Sequence, residues 1–373
     1  MRWRYCRVVL SHPEAIPRRP HQQSSQLGQL HLSSSARLIG LQIGEASEGE
    51  GCDICVNEPS FIPAEISTIE RAEHRQQSSS SDMATPAKRT FTYKTVGKLE
   101  LPFDLYLPEN ASKSPVMLWF HGGGLLQGHR SGLSPHLLRA VNKYNLAFIS
   151  ADYRLAPQVG VKEIYEDVRD CVKFIREQLP SKSGLQDAID ANRLAVSGGS
   201  AGGYLAYLAG LYVEPKPKVI LPIYPITDPL GQFFTTPQRP AFGRPEPEME
   251  PLKPFIDEST EVVANNAPDS PRSRMYDYML MGANLAALLK VEGTDKTWRV
   301  PKMIYERGLP PTYVVHGDID CAVGVEQADE AVGVAVGHGI ETVYERMHNV
   351  DHLFDKDEKV ELEKMYEFAL KHL

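Results

Sequence analysis

Long apolar runs are missing from this chain. No stretch of about 18 consecutive apolar residues occurs, so no helical membrane span is expected. Positive charge is in short supply: 40 Lys and Arg stand against 48 Asp and Glu, a formal net charge of −8. A nucleic-acid partner therefore has no general electrostatic support. Cysteine is sparse and odd in number. Cys6, Cys52, Cys55, Cys171 and Cys321 are scattered, which is not a disulfide framework and suits a reducing compartment, so a cytoplasmic location is expected. Cys52-Asp53-Ile54-Cys55 lacks the second ligand pair that zinc requires, and no metal is expected.

Residues 1 to about 82 also lack something: any sustained apolar period. They carry Ser- and Gln-rich pieces, Gln22 to Ser25, Ser33 to Ser35 and Gln76 to Ser81. Such a segment cannot bury enough surface to offset its ordering entropy and reads as a disordered extension. Its start is rich in arginine, with Glu14 the only acid before Glu45, a composition shared with mitochondrial transit peptides. The unstructured extension is the preferred reading. Met83 is a plausible natural start, and 83–373 is taken as the folded domain.

What is present from Thr90 onward is an alternation. Thr90 to Val96 and Leu99 to Leu107 read as strands about the Gly97-Lys98 turn. The apolar runs Val116 to Phe120, Asn145 to Ala151, Leu194 to Ser197, Val219 to Ile223 and Pro311 to Val315 read as strands buried on both faces. Glu341 to Met347 reads as a last strand. Val161 to Gln178, Ala201 to Tyr212, Val325 to Val336 and Lys356 to Leu373 carry helical spacing. The expected fold is α/β: a doubly wound, mostly parallel sheet of about eight strands with helices on both faces. One segment, about 228–309, breaks the alternation. It opens Pro-rich, continues with a helical piece at Met275 to Leu289, and is too long for an ordinary loop. It is read as a helical cap insertion. Its apolar residues Met279, Leu280, Met281, Leu285 and Leu288 either line an acyl pocket or form the cap's own core.

Two glycine clusters stand at strand ends. Gly198-Gly199-Ser200-Ala201-Gly202 follows the strand at Leu194 and leads into a helix, the context in which G-x-S-x-G is a nucleophile elbow. The backbone N–H of Ala201 would face a developing oxyanion. His121-Gly122-Gly123-Gly124 follows the strand ending at Phe120, where a glycine run gives further backbone donors close access. A base and an acid should follow Ser200 in the order acid, then histidine. Asp318 and Asp320 both lie just past the strand Thr312 to Val315 and both remain open as the acid. His352 precedes the last helix, so a short loop can swing it toward Ser200. It is preferred over His348 at the strand end.

These stretches, together with Asp152-Tyr153-Arg154-Leu155-Ala156-Pro157, Gly317-x-x-Asp320 and His352-Leu353-Phe354, resemble the α/β-hydrolase superfamily. The likeness covers the chain from about Lys88 and is closest to the hormone-sensitive-lipase-like carboxylesterase branch, the fold-3 type. The resemblance implies a Ser200, Asp320, His352 triad and oxyanion donors at Gly123, Gly124 and Ala201. It implies no cofactor and a small-molecule ester substrate cleaved through an acyl-enzyme, with Tyr153-Arg154 as structural support. Three features depart from the family: Gly199 stands where Asp is usual, no glycine flanks His352, and little chain lies between Met83 and the first strand to build a lid. A non-catalytic small-molecule receptor, a lactonase and a serine peptidase are the alternatives on this fold. Oligomeric state is not legible.

Overall fold

The structure is a computed structural model that describes residues 86–182 and 184–373. The readings of residues 1–82, including Cys6 and the Cys52/Cys55 pair, lie outside the described residues.

The chain runs β1 (Lys88–Val96), β2 (Leu99–Tyr106), β3 (Ser114–Phe120), α1 (Pro135–Lys143), β4 (Ala147–Ala151), α2 (Val161–Glu177), β5 (Ile189–Gly199), α3 (Ala201–Tyr212) and β6 (Val219–Ile223). Five helices follow before the next strand: α4 (Gln232–Thr235), α5 (Met249–Ile256), α6 (Met275–Gly282), α7 (Leu285–Leu288) and α8 (Val300–Arg307). Then come β7 (Thr312–Gly317), α9 (Glu326–Gly337), β8 (Thr342–Met347) and α10 (Glu363–His372). The eight strands form one sheet in the order β1-β2-β4-β3-β5-β6-β7-β8. The pairs β1/β2 and β2/β4 are antiparallel, and the rest are parallel. This is the mostly parallel eight-stranded sheet expected from the sequence.

Strand alternation sorts the core into two layers. Val116, Leu118 and Phe120 of β3 point into a large cluster with α2, α3, α8 and α9. Met117 and Trp119 point to the other face, into a smaller cluster with Leu137 and Val141 of α1 and Met365, Tyr366 and Ala369 of α10. The inner strands β3, β4, β6 and β7 are buried along their whole length, which explains their unbroken apolar runs. Among the described residues no helix is long and apolar enough to cross a membrane.

Besides shifts at strand ends, such as β5 beginning at Ile189 and not Leu194, the elements differ from the sequence reading in three places. The helix expected over Met275 to Leu289 is two, because Ala283 adopts φ 48, ψ 41 between α6 and α7. Met279, Leu280, Leu285 and Leu288 are buried in the larger core cluster. The last helix begins at Glu363 and not at Lys356: a short 3₁₀ turn spans Phe354–Lys356, and Leu362 at φ 49 separates it from α10. Finally, α1 was not expected at all. Its signal is Pro135 directly after Ser134, a proline at the first helical position.

Candidate active site

The parallel strands end on one edge, and β3, β5 and β7 each release a loop there. At the end of β5 the chain turns through Ser200, which holds φ 58 and ψ −119. A non-glycine residue held there carries strain of roughly 1–3 kcal/mol. The turn is fixed from both sides: Ser200 N–H donates to Ile223 O at 2.9 Å, and the Ser200 carbonyl accepts from Tyr204 N–H at 3.2 Å. Packing explains the surrounding glycines. A Cβ on Gly202 would lie 1.9 Å from Phe120 O, and one on Gly198 would lie 2.3 Å from Gly202 C. Ala201 is fully buried as the first residue of α3.

The loop after β3 contributes the second wall. Gly123 and Gly124 hold φ 107 and 68. Added Cβ atoms there would lie 2.2 Å from Gln127 O and 2.5 Å from the Tyr276 ring. The turn is closed by Leu126 N–H and Gln127 N–H donating to Gly123 O at 3.0 and 3.2 Å. Arg272 anchors it from behind: Nε donates to Leu126 O at 2.8 Å, and Nη2 donates to Ala156 O at 2.9 Å and to Gln158 Oε1 at 2.8 Å. His121 precedes the glycines with its ring stacked on Tyr153, centroids 4.3 Å apart. Its Nδ1 lies 2.8 Å from Gly122 O. Burial lowers the His121 imidazole to about 4, against the opposing pull of Asp152. Asp152 accepts from Arg130 N–H at 2.7 Å and from Asn265 Nδ2 at 2.6 Å, and Arg154 Nε donates to Asp167 at 2.8 Å. The Asp152-to-Arg154 stretch thus braces the loop from outside.

The loops after β7 and β8 carry the titratable groups. His352 Nδ1 lies 2.6 Å from Asp320 Oδ2. Asp320 Oδ1 accepts from Ala322 N–H at 2.9 Å and Val323 N–H at 2.7 Å. Burial alone would raise the Asp320 carboxyl. The charge of His352 and the hydrogen bonds from His316 and His352 outweigh it and hold the group well below the usual carboxylate range. Asp351 ties the histidine loop down, accepting from His352 N–H at 2.7 Å and Cys321 N–H at 2.8 Å. The rival residues pair with each other elsewhere: His348 Nδ1 meets Asp318 Oδ2 at 2.8 Å on an exposed surface.

Ser200, His352, Gly122 and Gly123 border one cavity of about 250 Å³, together with Tyr224, Phe242 and Tyr276. Asp320 stands behind His352, and Gly124 lies behind Gly123 against the Tyr276 ring. Among the described contacts Ser200 Oγ makes no hydrogen bond to His352.

Three residues of this region were not singled out from the sequence. His316 shares its Nε2–H between Val323 O at 2.9 Å and Asp320 Oδ2 at 3.2 Å. Its i, i+4 spacing to Asp320 was the available signal. Tyr224, one residue past β6, packs its ring 4.3 Å from that of His352 and donates its hydroxyl to Asp355. Asp355 also accepts from Ser134 Oγ at 2.7 Å and stands 3.4 Å from His136 Nε2. Burial opposes its ionisation, yet His136, Tyr224 and Ser134 hold it below its ordinary value. A Cβ on Gly199 would lie 3.0 Å from the Tyr224 ring. Tyr224 therefore occupies the space beside the elbow that a side chain at 199 would need.

A family model described as alpha/beta hydrolase fold matches residues 117–356, and the chain belongs to that family, in its hormone-sensitive-lipase-like branch. Curated relatives include the non-reducing polyketide synthase ausA of Aspergillus calidoustus, 27% identical over 73% of this chain, and trt4 of Aspergillus terreus, 26% identical over 72%. The chain spans 13% of the length of each. Similar solved structures include an alpha/beta hydrolase superfamily protein from Enterococcus faecalis, with 19% identity and a TM-score of 0.60 over 76% of this chain and 98% of that one. Esterase 2 of Thermogutta terrifontis, phosphoramylated by tabun, gives 19% identity and a TM-score of 0.51 over 77% and 94%. At these identities the solved structures show the fold. Family membership supports a hydrolase-type function.

Proposed function

We propose that this protein is a serine hydrolase of carboxylic esters, with Ser200 as nucleophile, His352 as base and Asp320 as the orienting acid. The observation that carries the reading is the His352 Nδ1 contact to Asp320 at 2.6 Å, on the wall of the cavity that Ser200 also borders. A serine hydroxyl is a weak nucleophile until a base removes its proton. With Nδ1–H held by Asp320, the His352 Nε2 lone pair is left to accept the Ser200 proton and return it to the departing alcohol. Asp320, kept ionised, stabilises the imidazolium formed meanwhile. The backbone N–H groups of Gly123, Gly124 and Ala201 serve as oxyanion donors, and water then releases the acyl group from Ser200.

Turnover of p-nitrophenyl acetate and butyrate tests this. Ser200→Ala and His352→Ala are each expected to lose on the order of 10³-fold or more in kcat. A wild-type protein that cleaves neither ester and resists a fluorophosphonate label would instead favour the receptor reading. The likeness to polyketide synthases favours one extension: the acyl group is polyketide-derived, presented as an ester or thioester. Comparing an acetoacetyl thioester of N-acetylcysteamine with its butyryl counterpart reads that preference directly.

A further inference from the structure

Two large apolar side chains stay exposed at the cavity. Phe242 and Leu353 are 44% and 38% exposed, and both border it. Both also hold left-handed backbone, with φ 59 and 60. A bulky L-residue adopts that region only at a cost in free energy, and neither side chain gains full burial in return. Strain of this kind persists where the surroundings hold it in place, and it clusters at sites that grip a ligand.

Phe242 is held from two directions. Its turn, Ala241–Gly243, lies between α4 and α5. Buried Asp277 of α6 accepts from Ala241 N–H at 3.2 Å and from Arg244 Nη2 at 3.0 Å, so one carboxylate clasps the turn at its start and just past its end. The Arg244 guanidinium sits over the Phe242 ring, 5.4 Å from its centroid. Phe242 N–H also donates to Cys321 Sγ at 3.4 Å, and that thiol donates to Asp351 Oδ2 at 3.4 Å. Cys321 follows Asp320, and Asp351 precedes His352. The turn is thereby tied to both loops that carry the proposed acid and base. The Phe242 ring stands 6.3 Å from the His352 ring, centroid to centroid. Leu353 is the residue directly after His352.

That position has a chemical meaning. A base that returns its proton to a departing alcohol needs the alcohol oxygen within hydrogen-bond reach of its ring. The carbon chain of the alcohol therefore leaves the reacting carbon on the His352 side, where Phe242 and Leu353 stand. We propose that Phe242 and Leu353 select the leaving group, and that the alcohol portion of the ester is apolar. This rests on the serine-hydrolase reading and names the substrate class for it. A hydrocarbon chain laid on these two side chains removes apolar surface from water. A polar chain of the same length loses hydrogen bonds to water there and finds no partner in a benzyl or isobutyl group.

The test uses the full chain and two pairs of esters that each differ by one methylene replaced by oxygen. Pentyl acetate and 2-ethoxyethyl acetate place the change on the alcohol side. Methyl hexanoate and methyl 3-ethoxypropanoate place it on the acyl side. The ether oxygen makes 2-ethoxyethanol the better leaving group, so a preference for pentyl acetate comes from the site. That preference is expected at about tenfold in kcat/KM. Phe242→Asn and Leu353→Asn should each pull the ratio toward one and leave the ratio of the acyl pair little changed. Asparagine tolerates left-handed backbone better than phenylalanine or leucine, so the urea midpoints of both variants should be no lower than that of the parent. Equal or better turnover of 2-ethoxyethyl acetate overturns the proposal and leaves the hydrolase reading intact. A ratio that moves only in the acyl pair overturns it too, since the two side chains would then face the acyl group. Lowered midpoints with both ratios unchanged would assign Phe242 and Leu353 to packing and also overturn it. If neither these esters nor p-nitrophenyl acetate is cleaved, the hydrolase reading falls and this proposal falls with it.

Discussion

Gly202 shows how one missing methyl group can hold a site open. A Cβ there would meet the carbonyl of Phe120 at 1.9 Å, a backbone atom at the end of β3 that has nowhere to go. Gly202→Ala is therefore expected to cost about 3 kcal/mol, read as a lower urea midpoint at an unchanged slope. His121 makes a prediction of a different kind. Its imidazole is lowered to about 4 by burial, while the unfolded chain titrates near the ordinary 6.5. Between those values the unfolded state binds more protons, so stability falls as pH drops from 6.5 toward 4. The loss is about 3 kcal/mol for a group buried this completely. His121→Gln should flatten that part of the pH dependence of the urea midpoint, and an equally steep profile in the variant would refute the assignment.

At the scale of elements, the short turn Phe354–Lys356 matters more than its size suggests. It carries Asp355, which binds the end of β6 through Tyr224 and the start of α1 through Ser134 and His136. His352 lies three residues earlier on the same loop, and Tyr224 directly follows Ile223, whose carbonyl holds the Ser200 N–H. Tyr224→Phe keeps the ring and removes the tether. On the proposed mechanism it should lower kcat by about tenfold with KM little changed, because placement of His352 against Ser200 would affect the reaction more than substrate binding. An unchanged kcat in a normally folded variant would show that the loop is held without the tyrosine hydroxyl. Neither Tyr224 nor Asp355 was visible in the sequence, since nothing local distinguishes a tyrosine after a strand or an aspartate after Phe354. Asp318 and Asp320 were likewise inseparable by spacing alone. Only the fold shows that Asp318 turns outward to His348 while Asp320 turns inward to His352.

For the whole molecule, the strand and helix pattern was largely readable because each buried parallel strand is a continuous apolar run and each covering helix repeats every three or four residues. The helix α1 escaped because its period is short, and the long helix expected at Met275 broke because Ala283 turns left-handed. The Ser- and Gln-rich extension makes a prediction at this scale. Removing residues 1–82 should leave the unfolding free energy from urea titration within about 0.5 kcal/mol and ester turnover unchanged, since such a composition offers little apolar surface to bury. A clear loss of either would make the extension part of the folded unit.

The amino-acid order alone determined the layers, the strand–turn–helix around Ser200 and the glycine loop after β3, because these depend on local period and on residues small enough for tight turns. Which carboxylate meets which imidazole and what fills the space beside Gly199 were decided only by the tertiary structure. The contacts around the site join residues as far apart as Ser134 and Asp355, separated by 221 positions, and only the assembled sheet brings such distant loops to one edge.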